Sequence, residues 1–119
     1  TVGWTDWNVL LDENGGPNHV GNYCFAPIIG NTKTGQLIYT DIYYYLGHFS
    51  KFVRPGAKRV ATSVSRDKLS STAFVNTNGQ LVVVVMNSTD DKVPYFLWIK
   101  GRAAQVVSLP HSIATMIVK

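Results

Sequence analysis

The sequence of 119 residues is long enough for one domain of ordinary size, and its 45% apolar and 15% charged residues exclude a disordered chain. The net charge is +4, but the basic residues are scattered and form no run that could serve as a nucleic-acid-binding arm. Cys24 is the single cysteine, which excludes an internal disulfide and a cysteine-based metal site.

The first part of the chain is predicted to contain one strand, one loop and one helix. Apolar residues run through Thr1 to Leu11 with little alternation, which indicates a strand buried on both faces. Asp12 to Gly21 is predicted to be a loop, and Asn22 to Ile29 an extended segment. Apolar residues at helical spacing predict a helix from Thr40 to Val53, with Thr40 or Asp41 as its N-cap. A single β-α unit cannot close a sheet, so these residues are expected to complete a larger structure.

The rest of the chain is predicted to be all-β, because short strand-like runs alternate with regular turns. Asn78-Gly79 lies between two β-branched runs and is a strong hairpin signal. The pattern favours a β-sandwich or barrel. The predicted strands are Lys58 to Ser65, Ser71 to Val75, Leu81 to Met86, Tyr95 to Ile99, Ala103 to Leu109 and Ser112 to Val118.

Signals for membranes and processing are sparse in this sequence. No signal-peptide pattern opens it, and its longest uninterrupted apolar run, Leu81 to Met86, is too short to cross a bilayer. We therefore expect no transmembrane segment. Asn87-Ser88-Thr89 matches a glycosylation acceptor, a pattern that is common by chance.

Candidate functional residues concentrate between Gly3 and Asn22. Trp4 and Trp7 lie beside Asp6 and Asn8, so two rings, a carboxylate and an amide occupy five neighbouring positions. This mixture suits a sugar-binding surface, where flat rings stack on C–H faces and polar groups bind hydroxyls. The residues alone leave open the alternative that this stretch is a buried core strand.

Catalytic and metal-binding motifs are absent. Glycoside hydrolysis usually needs two carboxyl groups, and Asp6 and Glu13 are the only plausible pair near the aromatic stretch. Glu13, the single glutamate, lies in a loop and is expected to be solvated. The histidines show no metal-ligand spacing, and no phosphate-binding glycine motif or nucleophile elbow occurs. We therefore expect no metal and no cofactor. The histidines are His19, His48 and His111.

The stretch from Gly3 to Asn22 and several later segments closely resemble the C-terminal portion of glycoside hydrolase family 30. This family includes glucosylceramidases and β-1,6-glucanases. The resemblance runs in order over essentially the whole chain, and its first motif, Gly-Trp-Thr-Asp-Trp-Asn followed by Gly-Gly-Pro-Asn, is long and specific. The matching segments are Gly3 to Asn8, Gly15 to Asn18, Asn22, Ala26 to Ile29, Tyr45 to Phe52, Pro55 to Val60 and Val82 to Asn87.

The resemblance implies the fold class of an α+β fragment: the last β/α unit of a (β/α)8 barrel followed by an all-β sandwich side domain. Residues 1–53 would hold the last barrel strand, the active-site loop and the last barrel helix, and residues 54–119 the side domain. In such barrels the active site lies at the C-terminal ends of the strands. The end of the first predicted strand, from Asp6 to Asn8, would therefore lie near the site.

The resemblance also implies a substrate-binding set. Trp7 and Asn22 match residues that line the sugar subsite, and Asp6 is a candidate hydrogen-bonding group beside them. Tyr23 and Cys24 take positions at the rim, where the family varies. His19 stands where the glucosylceramidase pattern has a tryptophan, which is a departure at the entrance of the site.

Two glutamates carry out retaining hydrolysis in the family, and the resemblance implies that neither lies in this chain. Glu13 matches neither motif, so the catalytic residues are expected upstream. The implied protein is a retaining β-glycosidase acting on a β-linked glucoside or glucan. This chain is expected to be one part of that enzyme and to be inactive alone. Its expected partner is the upstream part of the barrel. Its expected location is secreted or extracytoplasmic, and lysosomal in a eukaryote.

Two other functions compete with this interpretation. One is a non-catalytic carbohydrate-binding β-sandwich, which would present exposed rings; strand alternation places Tyr95 and Leu97 on one face and Phe96 and Trp98 on the other. The other is a small basic nucleic-acid binder, which is disfavoured because charge and rings do not interleave on one stretch.

Overall fold

The computed structural model describes residues 3–65 and 67–119. Within these residues the chain forms nine strands and one helix. Two compact units divide between Gly47 and His48, so the helix begins in the first unit and ends in the second. The strands are β1 (Leu10–Asp12), β2 (Ile28–Gly30), β3 (Leu37–Tyr39), β4 (Lys58–Val60), β5 (Leu69–Val75), β6 (Leu81–Asn87), β7 (Val93–Ile99), β8 (Arg102–Ser108) and β9 (Ser112–Val118), and helix α1 is Asp41–Ser50.

The first unit contains a three-stranded sheet in the order β1-β2-β3. β1 pairs in parallel with β2, and β2 pairs antiparallel with β3. The buried residues of this unit form a small apolar cluster of Leu11, Ala26 and Ile29. Complete burial of one leucine or isoleucine side chain contributes about 1.5–3 kcal/mol, so the sheet is held by few residues.

The predicted first strand is mostly wrong. Strand structure is limited to Leu10–Asp12, and the described residues before it are exposed, including Trp4, whose side chain is 76% exposed. The reason is that a strand requires a hydrogen-bonded neighbour, and β1 pairs only through the three residues that face β2. The part of the prediction that concerned Thr1 and Val2 lies outside the described residues.

Helix α1 is shorter than the predicted helix from Thr40 to Val53. It spans Asp41–Ser50, and no side chain in it is fully buried. Thr40 does not cap it through its side chain, because the Thr40 hydroxyl donates to the backbone carbonyls of Ala26 and Pro27 at 3.1 and 3.0 Å. Asp41 lies in the first turn, where its negative charge is favourable to the helix dipole.

The second unit contains a four-stranded antiparallel sheet, β4-β5-β6-β9, and a two-stranded hairpin, β7-β8. β6 lies between β5 and β9, and four consecutive valines, Val82 to Val85, are buried in it. A central strand covered on both faces needs apolar residues without alternation, and this run provides them. The extended segment predicted from Lys58 to Ser65 ends at Val60, because only Lys58–Val60 pairs with β5.

The two faces of β6 belong to different parts of the second unit. Val83 and Val85 join Leu69 and Val93 in the core. On the opposite face of the four-stranded sheet, the ring of Phe49 in α1 packs edge to face against the ring of Phe74 in β5, with centroids 6.4 Å apart. His48 is half-buried there, with its Nδ1 2.9 Å from Thr115 Oγ1, so the end of α1 is tied to this sheet.

The turns follow the predicted chemistry. The Asn78-Gly79 hairpin joins β5 and β6 as expected, with the Asn76 N–H donating to the Gln80 carbonyl at 2.9 Å. Lys100 and Gly101 connect β7 and β8, with φ angles of 47° and 79°. A two-residue hairpin with positive φ at both positions matches the right-handed twist of the flanking strands.

The predicted alternation along β7 is confirmed. Tyr95 and Leu97 pack against the core, whereas the side chains of Phe96 and Trp98 are 61% and 69% exposed. Gln105 lies opposite Phe96 on β8, and Ala103 lies opposite Trp98. The outer face of this hairpin therefore presents two rings, one amide and one small residue.

Candidate functional site

Trp7 lies on an irregular, exposed segment that precedes β1. Trp7 is 56% exposed, and its backbone N–H donates to Oδ1 of Asp6 at 2.8 Å. This local bond holds one oxygen of the Asp6 carboxylate against the backbone of Trp7. Asp6 and Trp7 are thus neighbouring residues on one exposed segment, and they offer a carboxylate that can accept from sugar hydroxyls and a ring that can stack on a sugar.

The loop after β1 is built around the side chain of Asp12. Asp12 Oδ1 accepts from the backbone N–H groups of Asn14 and Gly16, each at 2.8 Å. The backbone adds two bonds, from the Gly15 N–H to the Asp12 carbonyl at 3.0 Å and from the Asp12 N–H to the Gly16 carbonyl at 2.7 Å. An aspartate that binds backbone groups two to four residues ahead is typical of a tight turn. The result is a closed loop in which Gly15 and Gly16 are both buried.

Gly15 brings this loop against the segment that carries the other candidate residues. A Cβ at position 15 would lie 2.4 Å from the Cys24 nitrogen and 3.0 Å from Cδ2 of the Tyr23 ring. The φ of Gly15 is +75°, a conformation that glycine adopts without strain. Only a residue without a side chain permits this approach, so Gly15 sets the position of Tyr23 and Cys24.

Asn18 closes the loop from the other side. Its Nδ2 donates to the carbonyl of Gly15 at 3.0 Å and to the carbonyl of Asn22 at 2.6 Å. The Asn18 Oδ1 is buried and has no partner among the described residues. Asn18 therefore links the turn to the segment where Asn22 and Tyr23 lie.

The predicted rim and subsite residues after the loop are accessible. Asn22 is exposed, and its Oδ1 is 3.7 Å from the Cys24 Sγ. Tyr23 is 61% exposed, and His19 is exposed as well. The structure therefore groups Asn22, Tyr23 and Cys24 on one ordered segment. Within the described residues, no hydrogen bond joins this segment to Asp6 or Trp7.

Glu13 has a structural role in the first unit. Its carboxylate accepts from the Thr32 backbone N–H at 2.9 Å and from the Thr32 hydroxyl at 2.8 Å. The pKa of Glu13 is lowered from its ordinary value of 4.5. The largest cause is the hydrogen bond from the Thr32 backbone N–H, and the Glu13 N–H and the Thr32 hydroxyl contribute less. A general acid in glycoside hydrolysis needs a raised pKa. Glu13 is thus unsuited to that role, and it is engaged rather than simply solvated.

A cleft of about 890 Å³ lies elsewhere, in the second unit. It opens between the inner faces of the sandwich and is lined by apolar residues such as Val60, Leu69 and Leu97, with small polar residues at its edge. Its described lining contains no carboxylate, imidazole or cation. The cleft has the chemistry of an open core and supplies no catalytic group.

Asn87, in the possible glycosylation sequence, is not available for modification in the folded unit. Its side chain is 1% exposed, and Nδ2 donates to the carbonyls of Asp91 and Leu109 at 2.8 and 2.9 Å. Its Oδ1 accepts from the Thr89 N–H and hydroxyl at 3.0 and 2.8 Å. Asn87 is therefore a buried residue that links the two turns in which Asp91 and Leu109 lie.

Residues 3–65 and 67–119 contain neither a metal-binding cluster nor a membrane-spanning helix. No group of three or more His, Cys, Asp or Glu side chains is arranged to hold a metal ion. Within the same residues, no helix has the length and hydrophobicity needed to cross a bilayer.

Sequence reasoning missed the residues that organise the loop. The pattern predicts a loop from Asp12 to Gly21, but it does not indicate that Asp12, Gly15 and Asn18 hold this loop together. The sequence does carry a local signal, because an aspartate three positions before a glycine is typical of a turn stabilised by the aspartate side chain. The Glu13–Thr32 pairing has no such signal, because its partners are nineteen positions apart.

Comparison with known proteins assigns both parts of the chain to one family. Residues 1–53 match the glycosyl hydrolase family 30 TIM-barrel domain, and residues 56–116 match the glycosyl hydrolase family 30 beta sandwich domain. The lysosomal acid glucosylceramidase of Mus musculus is 42% identical over 94 residues, which is 78% of this chain and 18% of that protein. The chain therefore spans about a fifth of the length of this relative.

Solved structures agree with this assignment. SrfJ from Salmonella typhimurium superposes with a TM-score of 0.92 at 33% identity, covering 96% of this chain and 26% of SrfJ. An endo-β-1,6-glucanase superposes with a TM-score of 0.78 at 28% identity, covering 92% of this chain and 25% of that protein. Residues 1–53 are thus part of a TIM-barrel domain, residues 56–116 form a β-sandwich domain, and the chain belongs to glycoside hydrolase family 30.

Proposed function

We propose that this chain is the C-terminal part of a retaining β-glycosidase that hydrolyses β-glucosidic bonds in a glucoside or glucan. The observation that carries the proposal is the match of residues 1–53 to the family's barrel domain, together with an ordered loop that presents Asn22 and Tyr23. The named relatives include a glucosylceramidase and an endo-β-1,6-glucanase, which supports a β-glucosidic linkage in the substrate.

In this proposal the chain binds the sugar and the rest of the enzyme cleaves it. Trp7 supplies a flat ring for the C–H face of the sugar, and the Asn22 amide binds a hydroxyl. Asp6 accepts from a second hydroxyl, and Tyr23 lies at the rim. The exposure of Trp7, Asn22 and Tyr23 supports these roles, since a wall residue must reach the solvent-filled pocket in the free enzyme.

The two catalytic glutamates are proposed to lie upstream of this chain. Glu13 is its single glutamate and is held ionised by Thr32, so it offers neither a proton nor a free nucleophilic oxygen. The upstream barrel strands are the proposed partner of this chain. They would also pair with the exposed segment that precedes β1, which has no ladder partner among the described residues. We place the boundary between barrel and side domain at residues 53 and 54.

The proposal predicts that the 119 residues alone are inactive, while the complete protein hydrolyses an aryl β-glucoside. Activity from the chain alone would overturn the placement of the glutamates. We also propose a secreted or extracytoplasmic location, supported by the lysosomal relative. Fractionation of the native host checks it, and a purely cytosolic pool would contradict it.

Substitution of Trp7 and Asn22 in the complete enzyme tests the site. An aromatic contact contributes about 0.5–1.5 kcal/mol beyond its buried area, so Trp7→Ala is expected to lower kcat/KM about tenfold or more. Asn22→Ala is expected to lower it by a similar factor, because the hydroxyl loses its partner. Unchanged kcat/KM in both variants would remove these residues from the sugar site.

One observation favours a second candidate function, in which the β-sandwich binds carbohydrate without catalysis. The outer face of the β7–β8 hairpin presents Phe96 and Trp98 beside Gln105. If this surface binds sugar, Trp98→Ala in the complete protein should weaken retention on an insoluble glucan and leave kcat/KM for an aryl glucoside unchanged. The primary proposal predicts the reverse pattern for Trp7→Ala. Unchanged retention after Trp98→Ala would dismiss the second candidate.

A further inference from the structure

The Asn18 side-chain amide is the only group among the described residues that hydrogen-bonds to the Asn22 backbone carbonyl. The bond from Nδ2 is 2.6 Å long, and the same nitrogen donates to the Gly15 carbonyl at 3.0 Å. Both hydrogens of one amide are therefore used, and each acceptor lies on a different side of the loop. A single side chain holds the turn and the candidate subsite segment at a fixed separation.

The chemistry of the two acceptors fixes the orientation of this amide. Both are carbonyl oxygens, which can only accept hydrogen bonds, so the nitrogen of the Asn18 amide must face them. The reversed amide would place Oδ1 against two oxygens and lose both bonds. In the observed orientation, Oδ1 is buried and unpartnered among the described residues, which indicates that the donor groups are the ones on which the loop depends.

Gly15 completes the arrangement. The Gly15 carbonyl accepts from Asn18, and the Gly15 Cα faces the backbone of Cys24 so closely that a Cβ would lie 2.5 Å from the Cys24 oxygen. The segment from Asn22 to Cys24 is thus held by a hydrogen bond at its start and by van der Waals contact at its end. Asn22 and Tyr23 are exposed on the free side of this segment.

We propose that Asn18 is a positioning residue for the sugar subsite: through its Nδ2 it fixes Asn22 and Tyr23 in the geometry that binds substrate, without touching the sugar itself. This inference rests on the proposed function. A shift of about 1 Å in a binding group lowers catalytic efficiency strongly, so the consequence of losing the amide donors is measurable in the kinetics.

The test is Asn18→Asp in the complete enzyme, assayed with nitrophenyl β-glucoside. The replacement keeps the shape and the Oδ1 atom but removes both donors, and its carboxylate faces two carbonyl oxygens. We expect kcat/KM to fall about tenfold or more near neutral pH. The two carbonyl oxygens should raise the pKa of the new carboxyl group, because they disfavour its charged form. The protonated carboxyl group regains one donor, so the difference in kcat/KM between variant and wild type should become smaller as the pH is lowered.

Asn14→Asp is the matched control, since it introduces the same charge in the same loop at an exposed side chain that makes no described hydrogen bond. It should keep kcat/KM within about threefold of wild type, with no pH-dependent gap. Asn18→Ser serves as a second variant if Asn18→Asp fails to fold. One hydroxyl donor replaces two N–H groups there, and kcat/KM should still fall several-fold.

Each outcome decides something. Wild-type enzyme without activity on the glucoside overturns the proposed function and this inference together. Active wild type with Asn18→Asp and Asn18→Ser at wild-type kcat/KM overturns the inference alone. If kcat/KM of Asn18→Asp falls by the same factor at every pH and the unfolding midpoint falls as well, Asn18 has a general structural role. That result also overturns the inference.

Discussion

Gly15 lies against Cys24 at a distance that leaves no room for a side chain, since a Cβ at position 15 would be 2.4 Å from the Cys24 nitrogen. The contact is between backbone atoms, so neither partner can move a side chain aside to relieve it. It joins the turn that follows β1 to the segment where the proposed subsite residues lie. The packing of one glycine thereby determines the shape of the loop.

Gly15→Ala is expected to destabilise the protein and to impair the site. A residue with a Cβ in the left-handed conformation costs about 1–2 kcal/mol, and the forced contact with Cys24 adds about 1–3 kcal/mol. Gly35→Ala is the matched control, because its φ is +72° and nothing lies within 4 Å of the added Cβ. Urea unfolding midpoints and kcat/KM of the complete protein measure both effects. Equal effects of the two variants would show that the Cys24 contact is unimportant.

Asn87→Ala is expected to destabilise the second unit by about 2–4 kcal/mol, because its loss leaves buried carbonyl groups without donors. The amide connects the carbonyls of Asp91 and Leu109, so its removal also loosens two turns. Ser88→Ala, at the exposed neighbouring position, should change stability little. Thermal unfolding of the two variants makes the comparison. A midpoint for Asn87→Ala close to that of wild type would contradict the role of this residue.

Glu13 is expected to make stability depend on pH in the acidic range. Its folded-state pKa is lowered, chiefly by the Thr32 N–H, so the unfolded chain binds more protons in that range and stability rises with pH. The contribution is complete above the unfolded pKa and is lost as the pH falls through the folded pKa. The stability difference between wild type and Glu13→Gln should therefore shrink on acidification from about pH 6 to pH 3. A difference that grows on acidification would refute this pairing.

Leu11→Ala is expected to reveal how small the core of the first unit is. Leu11 is 2% exposed and shares its cluster with Ala26 and Ile29, and truncation of a buried leucine costs about 2–5 kcal/mol. Leu37→Ala, on the exposed strand β3, is the control and should cost less. Equal losses for the two variants in urea unfolding would argue against a core centred on Leu11.

The second unit was predictable from sequence to a greater extent than the first. Strand β9 has the predicted bounds, Ser112–Val118, and the Asn78-Gly79 hairpin forms as expected. Alternation and turn chemistry are local properties that a sequence displays directly. Lys58 to Ser65 also alternates, yet it pairs only as far as Val60, because pairing depends on the reach of a neighbouring strand.

The first unit was harder to predict, because its contacts join distant parts of the chain. Strand β3 was not expected, and it forms through pairing of Leu37–Tyr39 with β2. The family resemblance identified the candidate contact residues Trp7 and Asn22, but it did not indicate how they are held. The hydrogen bonds of Asn18 and the contact of Gly15 with Cys24 form only once the loop is folded, so the sequence pattern does not indicate them.

The most direct test of the account is kcat/KM for an aryl β-glucoside in the complete enzyme with Glu13→Gln. The central claim is that this chain supplies sugar-binding residues and that both catalytic glutamates lie upstream. The account predicts a value within about threefold of wild type at a pH where the protein is fully folded, since loss of a catalytic carboxylate would cost several orders of magnitude. A thousandfold loss, with folding intact, would place a catalytic acid in this chain and contradict the account.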